Sequence, residues 1–377
     1  MGSGINVVAE PPNQDLTDCT PHSHGTHVSG IIGGTRYGVA KAVTLHPVKI
    51  LDYCPVEPQG SWLDICEAID WIVQNHGTED RIGPAVVNLS YNRHVNSLPK
   101  GINLIVRELL DAGIPFVQSA GNIGLNGLQA CDWSLGNDPL LPEVIVVGGV
   151  DISEFNGQEV TGRWLREPPS SPGGPDPSYP VCSPGSPGFP PDCASNTGQC
   201  LDLWAPAGHI VSAGTDGGAC RLSGTSMAAP HVSGAVALYL ERRRCASPQE
   251  VQDAVVAAAA PGVLDTNQNS PYRIRFGSPN LLLRTPIPVL EGCPLFDDDF
   301  ETGDISAWDG SYTRTVPRPT VALWRSPRRP PSGEATAWRS RRPRPRREPL
   351  PGRDRRHPGR RERVRRLLPL QTEHLAR

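Results

Sequence analysis

The 377-residue chain has no run of about 20 consecutive apolar residues, which excludes a membrane-spanning helix. No leader with a charged start and an apolar centre opens it, so an export signal is expected to lie outside this sequence. Its ten cysteines lack the spacing of a metal site, which favours disulfides formed in an oxidising compartment, with pairings that sequence cannot fix. Cys54 and Cys66 bracket a short loop and are the expected bridge. Net charge is only −3, yet that figure hides a split: after Ser311 there are 20 arginines against five acidic residues, leaving the rest of the chain near −18. The 37% hydrophobic content supplies one large core with appendages.

Residues 1–23 are polar and turn-rich. A short apolar helix is expected from His24 to about Ile32, and a strand over Leu45–Leu51. Trp62, Ile65, Cys66, Ile69, Ile72 and Val73 recur at helical spacing and mark a core stripe. Strands follow at Pro84–Ser90, Ile114–Gln118 and Val144–Val150, with a helix around Ile102–Leu109 and another at Ser247–Ala259, capped by Ser247. Such alternation predicts an α/β fold with a mostly parallel sheet covered by helices on both faces.

Three segments fall outside that pattern. Residues 167–192 are rich in Pro, Gly and Ser and read as a surface insertion pinned at Cys182 and Cys193. Residues 285–310 form a linker and the start of a short C-terminal module, where Asp297, Asp298 and Asp299 do not match the spacing of an EF-hand calcium loop. Residues 311–377 are Arg- and Pro-rich without periodicity, the composition of a disordered tail or of a shifted reading frame in GC-rich DNA. Basic tails can bind nucleic acid, but nothing in this one adds a recognition motif.

The stretch Leu222–Gly234 places one hydroxyl where chemistry is plausible. Ser226 follows a Gly-Thr turn and opens an apolar segment, Met227–Leu240, read as a buried helix with Pro230 in its first turn. Read alone, Ser226 is a helix cap, His24 and His27 at i, i+3 are a weak metal pair, and Gly121-Asn122 is a turn. Gly224-Thr225-Ser226-Met227-Ala228-Ala229-Pro230-His231 resembles the nucleophile motif of subtilisin-like serine peptidases. His24-Gly25-Thr26-His27 resembles that family's histidine motif and Ser119-Ala120-Gly121-Asn122 its oxyanion segment, all in the family's order. The resemblance covers about residues 1–284.

It implies a subtilisin-like three-layer fold and a secreted, monomeric serine endopeptidase acting on proteins or peptides, with no cofactor needed for the chemistry. Structural calcium is compatible with it, but no residue set locates a site. Ser226 would be the nucleophile, His24 the general base and Asn122 an oxyanion donor. Gly60, Ser90, Tyr91 and Asn92 would line the substrate strand, and Ser119, Ala120 and Gly121 one wall of the main specificity pocket. The motif departs at one place: Gly2, in Gly2-Ser3-Gly4-Ile5, stands where the family carries an aspartate, and the strand before it is missing. Asp15 and Asp18 lie nearer His24 without that motif context. Two alternatives follow, an impaired peptide-binding relative and an α/β-hydrolase; the second needs its histidine after the serine, whereas His24 comes first.

Overall fold

The computed structural model describes residues 1–18, 23–51, 61–76, 84–97, 101–124, 129–165, 193–275 and 277–289. Within them lie eleven strands and five α-helices. Two elements show how local sequence sets their ends. Helix α2 (Trp62–Asn75) starts at Ser61, whose hydroxyl accepts the Leu63 and Asp64 N–H groups while Asp64 accepts from the Ser61 N–H. Helix α5 (Pro248–Ala258) starts the same way on Ser247 and Glu250, with proline at its first position.

The main sheet has seven strands, among them β3 (Val87–Leu89), β4 (Phe116–Ser119), β5 (Ile145–Phe155) and β7 (Leu203–Pro206), which run parallel in the order β7-β5-β4-β3. β6 (Gln158–Arg163) pairs antiparallel with β5; β11 (Leu281–Leu282) adds parallel to β7, and β10 (Ala260–Pro261) closes that edge antiparallel. Side chains alternate between the faces. Phe116, Val146 and Trp204 pack under α3 (Ile102–Asp111), while Val117, Ile145, Val147 and Leu203 pack under α4 (Thr225–Arg242) and α5. Near-continuous apolar strands are what a sheet buried on both faces requires.

The amino-terminal side is built separately. β1 (Ile5–Asn6) and β2 (Val48–Lys49) form a parallel pair of their own, and β8 (Ile210–Ala213) with β9 (Ala219–Leu222) forms a hairpin against α1 (His24–Gly33). A cavity of about 2390 Å³ opens between these parts. Its walls include Val48 and Lys49 of β2, Val87 and Leu89 of β3, Trp71 of α2 and Leu238 of α4, so it passes through the break between the two parallel sheets.

Sequence reading missed the β8–β9 hairpin and β6, β10 and β11, which are short or partly polar. The insertion core, residues 166–192, and everything after Val289 lie outside the described residues, including Cys182, the three aspartates and the Arg-rich tail. Among the described residues no helix is long and apolar enough to cross a membrane.

Candidate active site

Helix α4 begins at Thr225, two residues before the expected start, so Pro230 falls in the second turn and not in the first. A proline there has no N–H for the carbonyl four residues earlier, which is that of Ser226. The Ser90 hydroxyl supplies the missing donor, at 2.8 Å, and the Ser226 hydroxyl donates to the Ser90 carbonyl at 3.3 Å. Ser90 is braced in turn: its hydroxyl accepts from Asn88 Nδ2 at 3.0 Å, and Asn88 Oδ1 accepts from the Ser233 hydroxyl at 2.9 Å. The end of β3 and the start of α4 are thus locked by four side chains.

Asn122 sits just beyond β4. Its Oδ1 accepts from both the Thr225 N–H and the Thr225 hydroxyl, each at 2.9 Å. Since an N–H can only donate, the amide orientation is fixed, and Nδ2 is turned toward Gly224. A Cβ at Gly224 would lie 3.2 Å from that nitrogen, and the residue has φ 136°, so glycine is required on both counts. Gly121, at φ 95°, donates its N–H to Thr225 Oγ1 at 3.1 Å. The Ser226 N–H lies in the first turn of α4, where amides have no intrahelical acceptor and the helix dipole is positive. Asn122 and Ser226 border the same cavity, and Nδ2 is the end of the amide that its bonds to Thr225 leave able to donate.

His24 is the first residue of α1, half-buried, and it lines the same cavity as Ser226 and Asn122. Ser23, at φ 47°, does not cap this helix through its side chain; Asp18 does the work from a distance, its Oδ2 accepting the Thr26 N–H at 2.7 Å. His27 turns the other way. It is fully buried, with Nε2 3.0 Å from the Ile210 carbonyl, and burial pushes its pKa down to about 4, assisted by the neighbouring His24 and His231. The two histidines do not act as a pair. Gly2 donates its N–H to the Leu45 carbonyl at 2.7 Å, and a Cβ there would collide with the His46 ring.

Of the residues expected to line the cleft, Ser90, Tyr91, Asn92 and Gly121 border the cavity, and Gly60 lies outside the described residues. Ser119, the last residue of β4, and Ala120 are both fully buried, Ala120 in the core cluster that includes α3. Asn92 is committed internally: Oδ1 accepts from the Ser119 hydroxyl at 2.6 Å, and Nδ2 donates to the Ser119 and Trp133 carbonyls. It ties the end of β3 to the end of β4. Sequence reading also missed Asn88, Thr225 and Ser233, whose signal was a polar residue inside an apolar strand or helix.

The cysteines settle differently from expectation. Cys131 and Cys200 are bonded across 69 residues, and Cys220 and Cys245 are also in disulfides. Cys66 carries a free thiol whose pKa burial raises, so it is not bridged to Cys54, which lies outside the described residues. As part of the α2 core stripe, Cys66 packs against the apolar cluster below α3.

Comparison with known proteins agrees with this geometry. The profile of the subtilase family matches residues 6–277. An extracellular serine proteinase of Thermus sp. (strain Rt41A) is 33% identical over 288 residues, covering 76% of this chain and 55% of that protein. Alkaline serine exoprotease A of Vibrio alginolyticus is 29% identical over 262 residues, 70% of this chain and 39% of its own. The chain thus spans about half or less of the length of these relatives. A crystal structure of a cold adapted subtilisin-like serine proteinase superposes with a TM-score of 0.53 at 29% identity, covering 75% of this chain and 80% of its own. With the profile spanning most of the chain and the Ser226, His24 and Asn122 motifs gathered at one cavity, the chain belongs to the subtilase family of serine peptidases.

Proposed function

We propose that the protein is an extracellular serine endopeptidase that cleaves peptide bonds through an acyl-enzyme. Ser226 Oγ attacks the scissile carbonyl while His24 takes its proton. Asn122 Nδ2 and the Ser226 N–H receive the oxyanion; His24 passes the proton to the departing amine, then activates the water that releases the acyl group. The observation that carries this reading is the Asn122 amide, held through its oxygen by Thr225, the residue before Ser226, so that Nδ2 is the end able to donate at the cavity that both residues border. An extended substrate would lie along Ser90, Tyr91 and Asn92 by strand addition. Disulfides and the extracellular Thermus relative support a site of action outside the cell.

A second reading has its own observation. Gly2 occupies the motif position of the orienting carboxylate and packs against His46, so His24 receives no carboxylate from it. On that reading the cleft binds peptides and turns them over poorly. Hydrolysis of a casein-derived fluorogenic peptide, together with labelling of Ser226 by a fluorophosphonate, separates the two. Turnover that is lost in Ser226→Ala supports the peptidase; peptide binding with neither turnover nor labelling supports the impaired relative.

A further inference from the structure

Arg221 lies on β9, five residues before Ser226, and borders the same cavity as Ser226, His24 and Asn122. Its side chain is 8% exposed, and Nε and Nη1 are buried with no acceptor among the described residues. Among the described residues no carboxylate forms an ion pair with it, in contrast to Arg107 and Arg243, whose guanidiniums meet Glu143 and Glu250 at 2.8 and 3.0 Å. Burying an unpaired guanidinium is costly unless something completes its hydrogen bonds. Its backbone is held at the cavity by the hairpin register Val211↔Arg221, and Leu222 beside it packs on the cluster of Val28, Ile31 and Met227. His209, just after β7, borders the same cavity, with its backbone N–H held on Ser223 Oγ at 2.9 Å and its ring Nε2 4.0 Å from Asp151 Oδ2, so Asp151 faces His209 and, among the described residues, Arg221 remains the unpaired cation there.

We propose that Arg221 forms a carboxylate subsite in the peptide cleft, so that the preferred substrates carry an aspartate or glutamate side chain where the chain passes β9. Arg is suited to this because its planar fork meets a carboxylate with two parallel hydrogen bonds. The subsite enters from the hairpin and is therefore built on a different element from Ser90–Asn92 and Gly121, which line the cleft at the ends of β3 and β4. The proposal rests on the cleft being a peptide site, and deepens that reading by naming the chemistry it selects.

The test uses N-acetylated, C-amidated, internally quenched peptides in which a single Glu or Gln is moved through eight positions, so that only the side-chain carboxylate varies. A matched set with a free C-terminal carboxylate distinguishes recognition of the chain end. The expected result is a Glu/Gln ratio in kcat/KM of about tenfold at one position, reduced by 0.5 M salt and falling to about one in Arg221→Gln while Arg221→Lys keeps part of it. A ratio near one at every position, a ratio that survives Arg221→Gln, or a preference for the free chain end alone overturns the proposal. If the chain turns over none of the peptides, binding of the same pairs is read by fluorescence anisotropy. A Glu preference removed by Arg221→Gln then upholds the subsite while the peptidase reading fails; equal binding, or none, overturns the subsite.

Discussion

The serine side and the histidine side of the cavity are constructed by different means. On the serine side, Ser226, Asn122 and Gly121 are fixed by helix α4 and the ends of β3 and β4, and the neighbouring Met227, Ala228 and Ala229 are fully buried. Several polar groups there have named partners: Ser90 for the Ser226 carbonyl, Thr225 for the Asn122 oxygen, Ser233 for Asn88. On the histidine side, α1 packs on α4 and a two-stranded hairpin, its amino terminus is capped from Asp18, and the β1–β2 pair stands apart from the main sheet across an open cavity. The difference teaches that Ser226 and Asn122 are positioned by the ends of main-sheet strands and a buried helix, whereas His24 is positioned by elements that pair outside that sheet.

Substitutions can break this comparison, in order of expected effect. Ser226→Ala removes the nucleophile and reduces peptide hydrolysis to background, measured with the fluorogenic peptide. Asn122→Ala leaves the nucleophile but removes one oxyanion donor; kcat is expected to drop about 10²–10³-fold with little change in KM, the cost established for this donor in subtilisin itself. Equal losses in Asn122→Ala and Asn122→Asp would agree with the account, since the aspartate has no N–H to give. An unchanged kcat in Asn122→Ala would remove the serine side's claim to be preorganised.

Acid should act with opposite sign on two buried groups, one beside the histidine helix and one in the main sheet. Folded His27 has a pKa of about 4 against 6.5 for the unfolded chain, so between those values the unfolded chain binds the extra proton. Stability from this group therefore falls as pH drops through that window, by about 3 kcal/mol at its full extent. Asp202, between the Val146 N–H and Gln252 under the main sheet, is raised by burial to about 6 from 3.8. Here the folded chain binds the proton first, so acidification from pH 6 toward 4 favours the fold. Asp202→Asn should remove that compensation and steepen the loss of stability between pH 6 and 4, read from urea midpoints; an acid limb identical to the wild type would contradict the assignment.

The smallest effect concerns α1. Asp18→Ala removes the acceptor for the Thr26 N–H and should cost about 1 kcal/mol, seen as a lower Tm at pH 7. A similar loss in Asp15→Ala would show that the capping role is not specific, since the Asp15 carboxylate instead accepts from the Thr17 N–H in its own turn.

Much of this was legible in the residues. The apolar runs at Val144–Val150 and Ile114–Gln118 and the stripe of α2 mark buried elements whatever their partners, because burial on both faces leaves a continuous signal. The family was legible because Ser226, His24 and Asn122 sit in long local motifs, and the structure brings the three to one cavity. What was not legible is non-local: Pro230 reads as harmless in a first turn, and only the helix start at Thr225 makes it leave the Ser226 carbonyl to Ser90. The full burial of Ser119 and Ala120 was not legible either, since small residues carry no burial signal of their own. The Cys54–Cys66 expectation failed because Cys66 belongs to the helical stripe facing inward, which spacing along the chain cannot show.

The most direct test of the central claim is the rate at which a fluorophosphonate labels the full chain, located by mass spectrometry of the peptides, for the wild type and for Asn122→Ala. The account predicts a single adduct on Ser226, formed about 10²-fold more slowly in Asn122→Ala because the phosphonyl oxygen loses the same donor. Absence of an adduct on folded wild-type protein, or equal rates in the two chains, would contradict it.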